Sequence, residues 1–374
     1  MKLAFCLFNY FPYGGLQRDF LRIARLCRDR GHDIHVFTMR WEGEQEEGFH
    51  IHVLSTQGFQ NHSRCRAFVH QVKSALAEQR FDRVIGFNKM PYLDVYYAAD
   101  VCYVARIQET RGWFYRCLPR YRAWKALEEN VFAEDKHTQI LLIAPQQAES
   151  YTHYYQTPAT RFHLLPPGIE KNRVAPSPAV AATIRERVRA AYAIDTHEHL
   201  LLMVGSGFKT KGVDRALRGL AALPTALRTA CRLIVIGKDD PKPFVHLAHR
   251  LGISSQVKFV GGRYDVPDFL LAADLLLQPS YHENTGTAIL EAIVAGLPVL
   301  TVAACGYAPY VLAAKAGAVL PHPFQQTAWN GQLERMLISD ERKVWQQNAL
   351  QFAQTADLYS LPEKAVSVIE AMGR

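Results

Sequence analysis

A chain of 374 residues exceeds what one hydrophobic core organises, because cores stop growing at about 250–300 residues, so two domains are expected. Its 49% hydrophobic and 21% charged residues are ordinary for globular protein and exclude extensive disorder. A net charge of +8, from 43 Lys and Arg against 35 Asp and Glu, points to an anionic partner such as phosphate, nucleic acid or acidic lipid without choosing among them.

The opening Met1–Phe8 run is too short for the apolar region of a signal peptide and has no small-residue cleavage site, so it reads as a first strand. Strands are then expected at Leu3–Phe8, Asp33–Met39, His50–Leu54, Arg83–Phe87, Val95–Val101, Ile140–Ala144 and Phe162–Leu165. Between the first two, Leu16, Phe20, Ile23, Ala24 and Cys27 recur at helical spacing and Gly31 stops the helix, which makes a βαβ unit headed by Gly14-Gly15. Pro166-Pro167-Gly168-Ile169 and Ala175-Pro176-Ser177-Pro178 mark a hinge. A second series of strands follows at His199–Val204, Leu233–Gly237, Val257–Gly261, Leu275–Gln278 and Val299–Val302, and the chain from about Gln326 to Arg374 is helical.

Strands alternating with helices predict an α/β chain of two doubly wound, Rossmann-like domains with parallel sheets, residues 1–168 and 169–355, and a terminal helical segment 356–374 that returns to the first domain. Seven scattered cysteines with no CxxC spacing speak against a disulfide framework and a zinc site, and fit a reducing cytosol. No stretch approaches the roughly 18–20 apolar residues of a membrane span. Asp239-Asp240 sits in a proline- and lysine-rich turn and resembles a metal pair only superficially, so no metal is expected. A lone His282 is more often structural and is left out.

The most informative stretch runs from Pro279 to Leu300. It leaves an apolar strand, crosses a polar loop containing Asn284, Thr285, Gly286 and Thr287, enters an apolar helix and stops at Gly296-Leu297-Pro298. A loop between a strand's carboxyl end and a helix N-terminus is where open α/β sheets bind ligands, because free amides and the helix dipole attract phosphate. Glu283 in the loop and Glu291 in the helix bracket it. Carboxylates there either accept paired hydrogen bonds from the vicinal hydroxyls of a nucleotide-sugar or serve as a solvated loop residue and a helix-surface partner.

Glu283-x7-Glu291-Ala292 followed by Ala295-Gly296-Leu297-Pro298-Val299 resembles the signature of family-4 retaining glycosyltransferases of the GT-B fold, two Rossmann-like domains facing a cleft. Phe11–Asp19, Gly86–Pro91, Ala98–Tyr103 and Asp357–Ala365 extend the likeness over nearly the whole chain, toward the lipopolysaccharide core glucosyltransferases of Gram-negative bacteria. The resemblance implies transfer of a hexose from a UDP-hexose to a heptose of the lipid A-linked inner core, with retention of configuration, no cofactor and no metal. It also implies that Glu283 contacts the transferred sugar, Glu291 the ribose, and Gly15 the diphosphate and sugar.

After the strand ending at Val204, Gly205–Arg215 is a Gly-rich turn carrying Lys209 and Lys211. A fixed cation here stabilises the charge that develops on departing UDP more than it stabilises the bound donor. Lys211 matches the family's phosphate-binding lysine, and Lys209 is the candidate for the second basic residue, which Ser206 and Thr210 do not supply. Arg173 and Arg263 are candidates for phosphate and base, or else surface residues. Asp100, ending the strand from Val95 to Val101, is either a general base or an acceptor-positioning group. Asp19, read as a first-turn carboxylate on the polar side of its helix, either senses the acceptor or complements the helix dipole.

From Arg106 to Lys125 the chain interleaves six cations with Trp113, Phe114, Tyr115, Tyr121 and Trp124. Such a mix suits peripheral contact with the anionic cytoplasmic face of an inner membrane, RNA, or a solvated helix whose aromatics are core; the lipid acceptor implied above favours the membrane, and nucleic acid is not expected. Two other readings stay open: a UDP-sugar epimerase of the same fold, and a non-catalytic nucleotide-regulated membrane or RNA scaffold.

Overall fold

The near-continuous apolar runs become two all-parallel sheets. Strands that are apolar on both faces need cover on both sides, and βαβ crossovers supply it. The computed structural model describes residues 1–12, 14–56, 60–170 and 173–372, and the chain divides into two units, Met1–Gly168 with Tyr359–Arg374, and Ile169–Leu358.

In the first unit β1 is Lys2–Cys6, β2 Asn9–Tyr10, β3 Asp33–Thr38, β4 Arg40–Trp41, β5 Phe49–Val53, β6 Arg83–Gly86, β7 Val95–Ala98, β8 Gln139–Leu142 and β9 Phe162–Leu164. Seven of them form one sheet in the order β5-β3-β1-β6-β7-β8-β9, and β2 pairs with β4 separately. The two-residue period of β1 divides its side chains between two cores. Leu3 and Phe5 pack with Phe20, Ile23 and Cys27 of the Gly15–Asp29 helix, whereas Ala4 and Cys6 pack with Phe68 and Val72 of the Asn61–Glu78 helix. The terminal Leu361–Ala371 helix buries Leu361, Ala365, Val366 and Ile369 in the Phe20 core, and Glu370 pairs with Arg30 at 2.6 Å and His32 at 2.9 Å.

In the second unit β10 is His199–Val204, β11 Cys231–Ile236, β12 Val257–Phe259, β13 Leu275–Gln278, β14 Val299–Val302 and β15 Gly317–Leu320, ordered β12-β11-β10-β13-β14-β15. The strand order turns outward on both sides of β10, so the loops after β10 and β13 leave neighbouring strands in opposite directions, the place where such sheets bind ligands. Edge strand β15 was not expected, nor were the two-residue β2 and β4; all are too short or too weakly apolar to carry a period.

One expectation is corrected. The strand carrying Asp100 ends at Ala98, because Gln147 Nε2 donates to the carbonyls of Ala98 (2.9 Å) and Asp100 (3.1 Å) and the Tyr151 hydroxyl donates to Asp100 as well (3.0 Å). Asp100 therefore sits in an exposed bend beyond β7 rather than in the strand. Among the described residues no helix is long and apolar enough to cross a membrane.

Candidate active site

Two loops at the carboxyl ends of β10 and β13 meet. After β10 the chain forms the helical turn Phe208–Lys211, whose Phe208 amide donates to Asp239 at 2.7 Å; Asp239 thus caps this turn. Gly212 then turns at φ +75° into the Val213–Ala221 helix, and a Cβ there would lie 2.2 Å from the Pro279 carbonyl oxygen. Only glycine lets the lysine turn press against the end of β13. The Tyr281 amide donates to the Thr210 carbonyl at 2.8 Å, and the Lys211 ammonium forms an ion pair with the Glu283 carboxylate. Their side chains are only 18% and 16% exposed.

The Glu283 loop is fixed from several sides. Glu283 donates its amide to Ala304 at 3.3 Å and accepts from Gly306 at 3.0 Å, while Tyr307 donates to the Thr285 carbonyl at 2.7 Å. Buried Gln278 donates to the Glu283 carboxylate at 3.4 Å. Arg215 lies between the rings of Tyr281 and Phe324, 3.5 and 3.8 Å from their centroids, and donates to the carbonyls of Pro279 and Ser280 at 3.1 Å. Gly286 at φ +86° then starts the Thr287–Val294 helix without a side-chain cap, so its first-turn amides suit an anion. Six of that helix's eight residues are buried. At about 1.5–3 kcal/mol for a fully buried aliphatic side chain, this burial fixes where the helix N-terminus lies. Glu291, its fifth residue, has its carboxylate 3.7 Å from the Arg173 guanidinium.

In the first unit Gly15 opens the first helix and is exposed. Asp19 is the fifth residue of that helix, not in its first turn, and faces inward: it accepts from the Tyr97 hydroxyl at 2.8 Å and lies 3.7 Å from Arg18. Burial raises its pKa above the ordinary value, against the opposing pull of Arg18 and Tyr97. The expected polar-side, dipole-complementing placement of Asp19 is thereby corrected. Asp100 lines a cavity of about 500 Å³ with Lys89, Tyr103, Arg106, Arg111 and Arg120. Fully buried Glu128 organises one wall: its carboxylate accepts from Lys89 (2.5 Å), from the amides of Tyr103 (2.7 Å) and Val104 (3.1 Å) and from the Tyr155 hydroxyl (2.7 Å).

Two family models match the chain, Glycosyltransferase Family 4 over residues 13–173 and Glycosyl transferases group 1 over residues 184–352. The chain is 45% identical over 370 residues to the lipopolysaccharide glucosyltransferase WaaG of Escherichia coli (strain K12), covering 99% of this chain and 98% of that protein. It belongs to the GT-B, family-4 glycosyltransferases. A crystal structure of WaaG superposes with a TM-score of 0.91 at 45% identity, covering 99% of this chain and 100% of that one. Anabaena Alr3699/HepE in complex with UDP-glucose matches at a TM-score of 0.74, covering all of both chains, and at 19% identity supports the fold alone. The likeness to the lipopolysaccharide core glucosyltransferases read from the sequence is borne out.

Of the residues nominated in this glycosyltransferase, Lys211, Glu283, Asn284, Thr285, Gly286 and Thr287 share one pair of loops, and Arg173 joins Glu291. Lys209 stands exposed on the lysine turn, and exposed Arg263 is held by Asp265 through two hydrogen bonds of 2.7 and 2.6 Å, so neither converges on the Lys211–Glu283 pair. Arg215 and Gln278, which hold the Glu283 loop, were missed; their polar groups at the ends of apolar runs were the available signal. The aromatics of the basic segment divide: Trp113 and Phe114 are 65% and 70% exposed, as is Leu118 at 46%, whereas Tyr121 is buried and Trp124 packs against Phe8. Asp33, His35 and His50, on β3 and β5 of the first unit, lie close enough together to hold a metal ion.

Proposed function

We propose that this glycosyltransferase moves glucose from UDP-glucose to a heptose of the lipid A-linked inner core of lipopolysaccharide, with retention and without a metal. The single observation that carries the donor half is the Lys211–Glu283 pair at the mouth of two strand-end loops. Lys211 neutralises the diphosphate as the sugar–phosphate bond breaks, a cation that strengthens its hold as charge develops. The Gly286–Thr287 helix start supplies further amides and Arg173 a second cation. Glu283 accepts hydroxyls of the transferred hexose beside Asn284 and Thr285, and Glu291 accepts the ribose hydroxyls.

On the acceptor side Asp100, exposed beside the cavity, orients the attacking hydroxyl, and Asp19 supports that end of the first unit through Tyr97. Attachment at the cytoplasmic face of the inner membrane is supported by the stacked, outward Trp113–Phe114 pair, Leu118 and exposed Arg116 and Arg122. The name of the Escherichia coli relative supports the lipopolysaccharide acceptor.

The test is incubation with a panel of radiolabelled UDP-sugars and a heptose-terminated truncated lipopolysaccharide, with and without EDTA, followed by NMR of the product linkage. An α-linked glucose on heptose, formed equally in EDTA, is expected. Isomerised UDP-sugar without transfer would select an epimerase, and binding without turnover a scaffold; either ends the proposal.

A further inference from the structure

The cations of the basic segment do not share one environment. Arg116 and Arg122 accompany the outward Trp113 and Phe114, whereas Arg106, Arg111 and Arg120, exposed as well, line the open cavity beside Asp100. These three side chains have no acidic partner in an ion pair among the described residues. Lys89, the fourth cation of that wall, is already held by Glu128 and the Val101 carbonyl at 2.8 Å. Asp100 alone cannot balance three guanidinium groups, so the cavity carries surplus positive charge.

A second observation points the same way. The Tyr103 hydroxyl, on the same wall, is shielded from solvent, and the Tyr115 hydroxyl of that wall is its interacting neighbour. Two phenols beside three guanidinium groups place further O–H donors where an anion would sit. Burial first, and then the interaction with Tyr115, push this phenol far above its usual pKa, against the pull of Arg120 and Arg106, so it stays a donor. Trp124 and Tyr115 supply aromatic wall. At about 500 Å³ the cavity lies within the usual size of small-ligand pockets, roughly 300–1,000 Å³.

We propose that Arg106, Arg111, Arg120 and Tyr103 form an oxyanion subsite for a phosphate or carboxylate carried by the sugar acceptor, next to the hydroxyl that Asp100 positions. The proposal rests on the transferase reading and adds to it the charge of the acceptor. Guanidinium groups clamp such oxyanions with paired, charge-assisted hydrogen bonds, and a clamp beside Asp100 fixes which hydroxyl is presented. The cations beside Trp113 and Phe114 serve the membrane and those lining the cavity serve the acceptor.

The test compares wild type with Arg106→Ala, Arg120→Ala and the charge-conserving Arg120→Lys on three acceptors: truncated core lipopolysaccharide as isolated, the same after phosphatase, and the same after reduction of its carboxyl groups to alcohols. With the intact acceptor the alanine variants should raise the acceptor KM by roughly tenfold or more, the loss of a charge-assisted contact, with the KM for UDP-glucose unchanged and Arg120→Lys in between. The treatment that brings wild type and variants to the same acceptor KM names the anion. Equal acceptor KM values on the intact acceptor overturn the subsite, as does a loss of binding to phosphatidylglycerol vesicles with acceptor KM unchanged, which would assign these arginines to the membrane. A misfolded variant is recognised by a changed UDP-glucose KM, in which case Arg120→Lys decides. Absence of transfer by the wild type is the separate failure of the transferase reading.

Discussion

The Lys211 ammonium and the Glu283 carboxylate, 72 residues apart in the chain, meet in an ion pair between the loops after β10 and β13. Each holds the other's charge in a site where both are mostly shielded from solvent. A donor that engages both must exchange this pair for contacts to its diphosphate and its sugar. Removal of either partner leaves the other with an unmatched charge, which the proposed function places where charge develops on the departing diphosphate.

Lys211→Ala and Glu283→Gln should therefore each lower kcat/KM for UDP-glucose about 10²- to 10³-fold, the usual consequence of losing one group that stabilises developing charge. The double variant should lose little more than the worse single one, because the two act as a unit. Steady-state kinetics on the three variants check this; losses that multiply would show the pair to be independent residues that happen to touch.

Gly212 supports the same pair at one remove. Its φ of +75° and the 2.2 Å approach of a Cβ to the Pro279 carbonyl mean that Gly212→Ala pushes the lysine turn off the end of β13. A non-glycine residue in this backbone region costs about 1–2 kcal/mol before the clash is counted. Chemical denaturation followed by far-ultraviolet circular dichroism should show at least that loss for the second unit, with a raised KM for the donor. A change under about 0.5 kcal/mol would mean that the turn relaxes freely.

In the first unit Glu128 joins Lys89, the amide ends at Tyr103 and Val104, and Tyr155 into one buried cluster. Glu128→Ala leaves the Lys89 ammonium with the Val101 carbonyl but no counter-charge and leaves two amides without an acceptor, and should destabilise by about 3–5 kcal/mol. Glu128→Gln keeps one acceptor oxygen and should cost less. The double change Glu128→Leu with Lys89→Met should recover most of the loss, because an apolar pair removes both charges together. Urea unfolding of the four proteins is the measurement, and a double variant no better than Glu128→Ala would refute it.

Much of the fold was legible because β1, β10 and β13 are buried on both faces and their apolar runs are unbroken, while the Gly15–Asp29 helix keeps one apolar stripe. The end of β7 was not: Val101 is apolar and continues the run, yet Gln147 and Tyr151, about fifty residues later, take the carbonyls that a longer strand would use. The loops after β10 and β13 were legible one at a time, as glycines, lysines and carboxylates at strand ends. Their pairing was not, since local spacing says nothing of which loop leans on which. Arg263 is the opposite case, because Asp265 two residues on was a visible competitor for its guanidinium. The inward turn of Asp19 depends on Tyr97 across the core, a contact no helical period reports.

Asp19 gives the pH prediction. Burial holds its pKa above the ordinary 3.8, with Arg18, Tyr97 and Arg22 opposing, so the native state binds a proton at Asp19 more readily than the unfolded chain does. Below pH 3.8 both states carry the neutral acid and the group is without effect. As pH rises through 3.8 the unfolded chain ionises first, and the native state bears a growing penalty that is complete once pH exceeds the raised native value. Asp19→Asn, which keeps the shape and accepts from Tyr97, removes that penalty. Its gain in stability over wild type should accordingly be near zero in acid and grow with pH toward neutrality, while transfer activity falls if the carboxylate supports the acceptor end. Paired urea titrations between pH 4 and 8 measure the difference; a gain that is flat in pH, or largest in acid, would mean that Asp19 is held ionised by Arg18 and Arg22 after all.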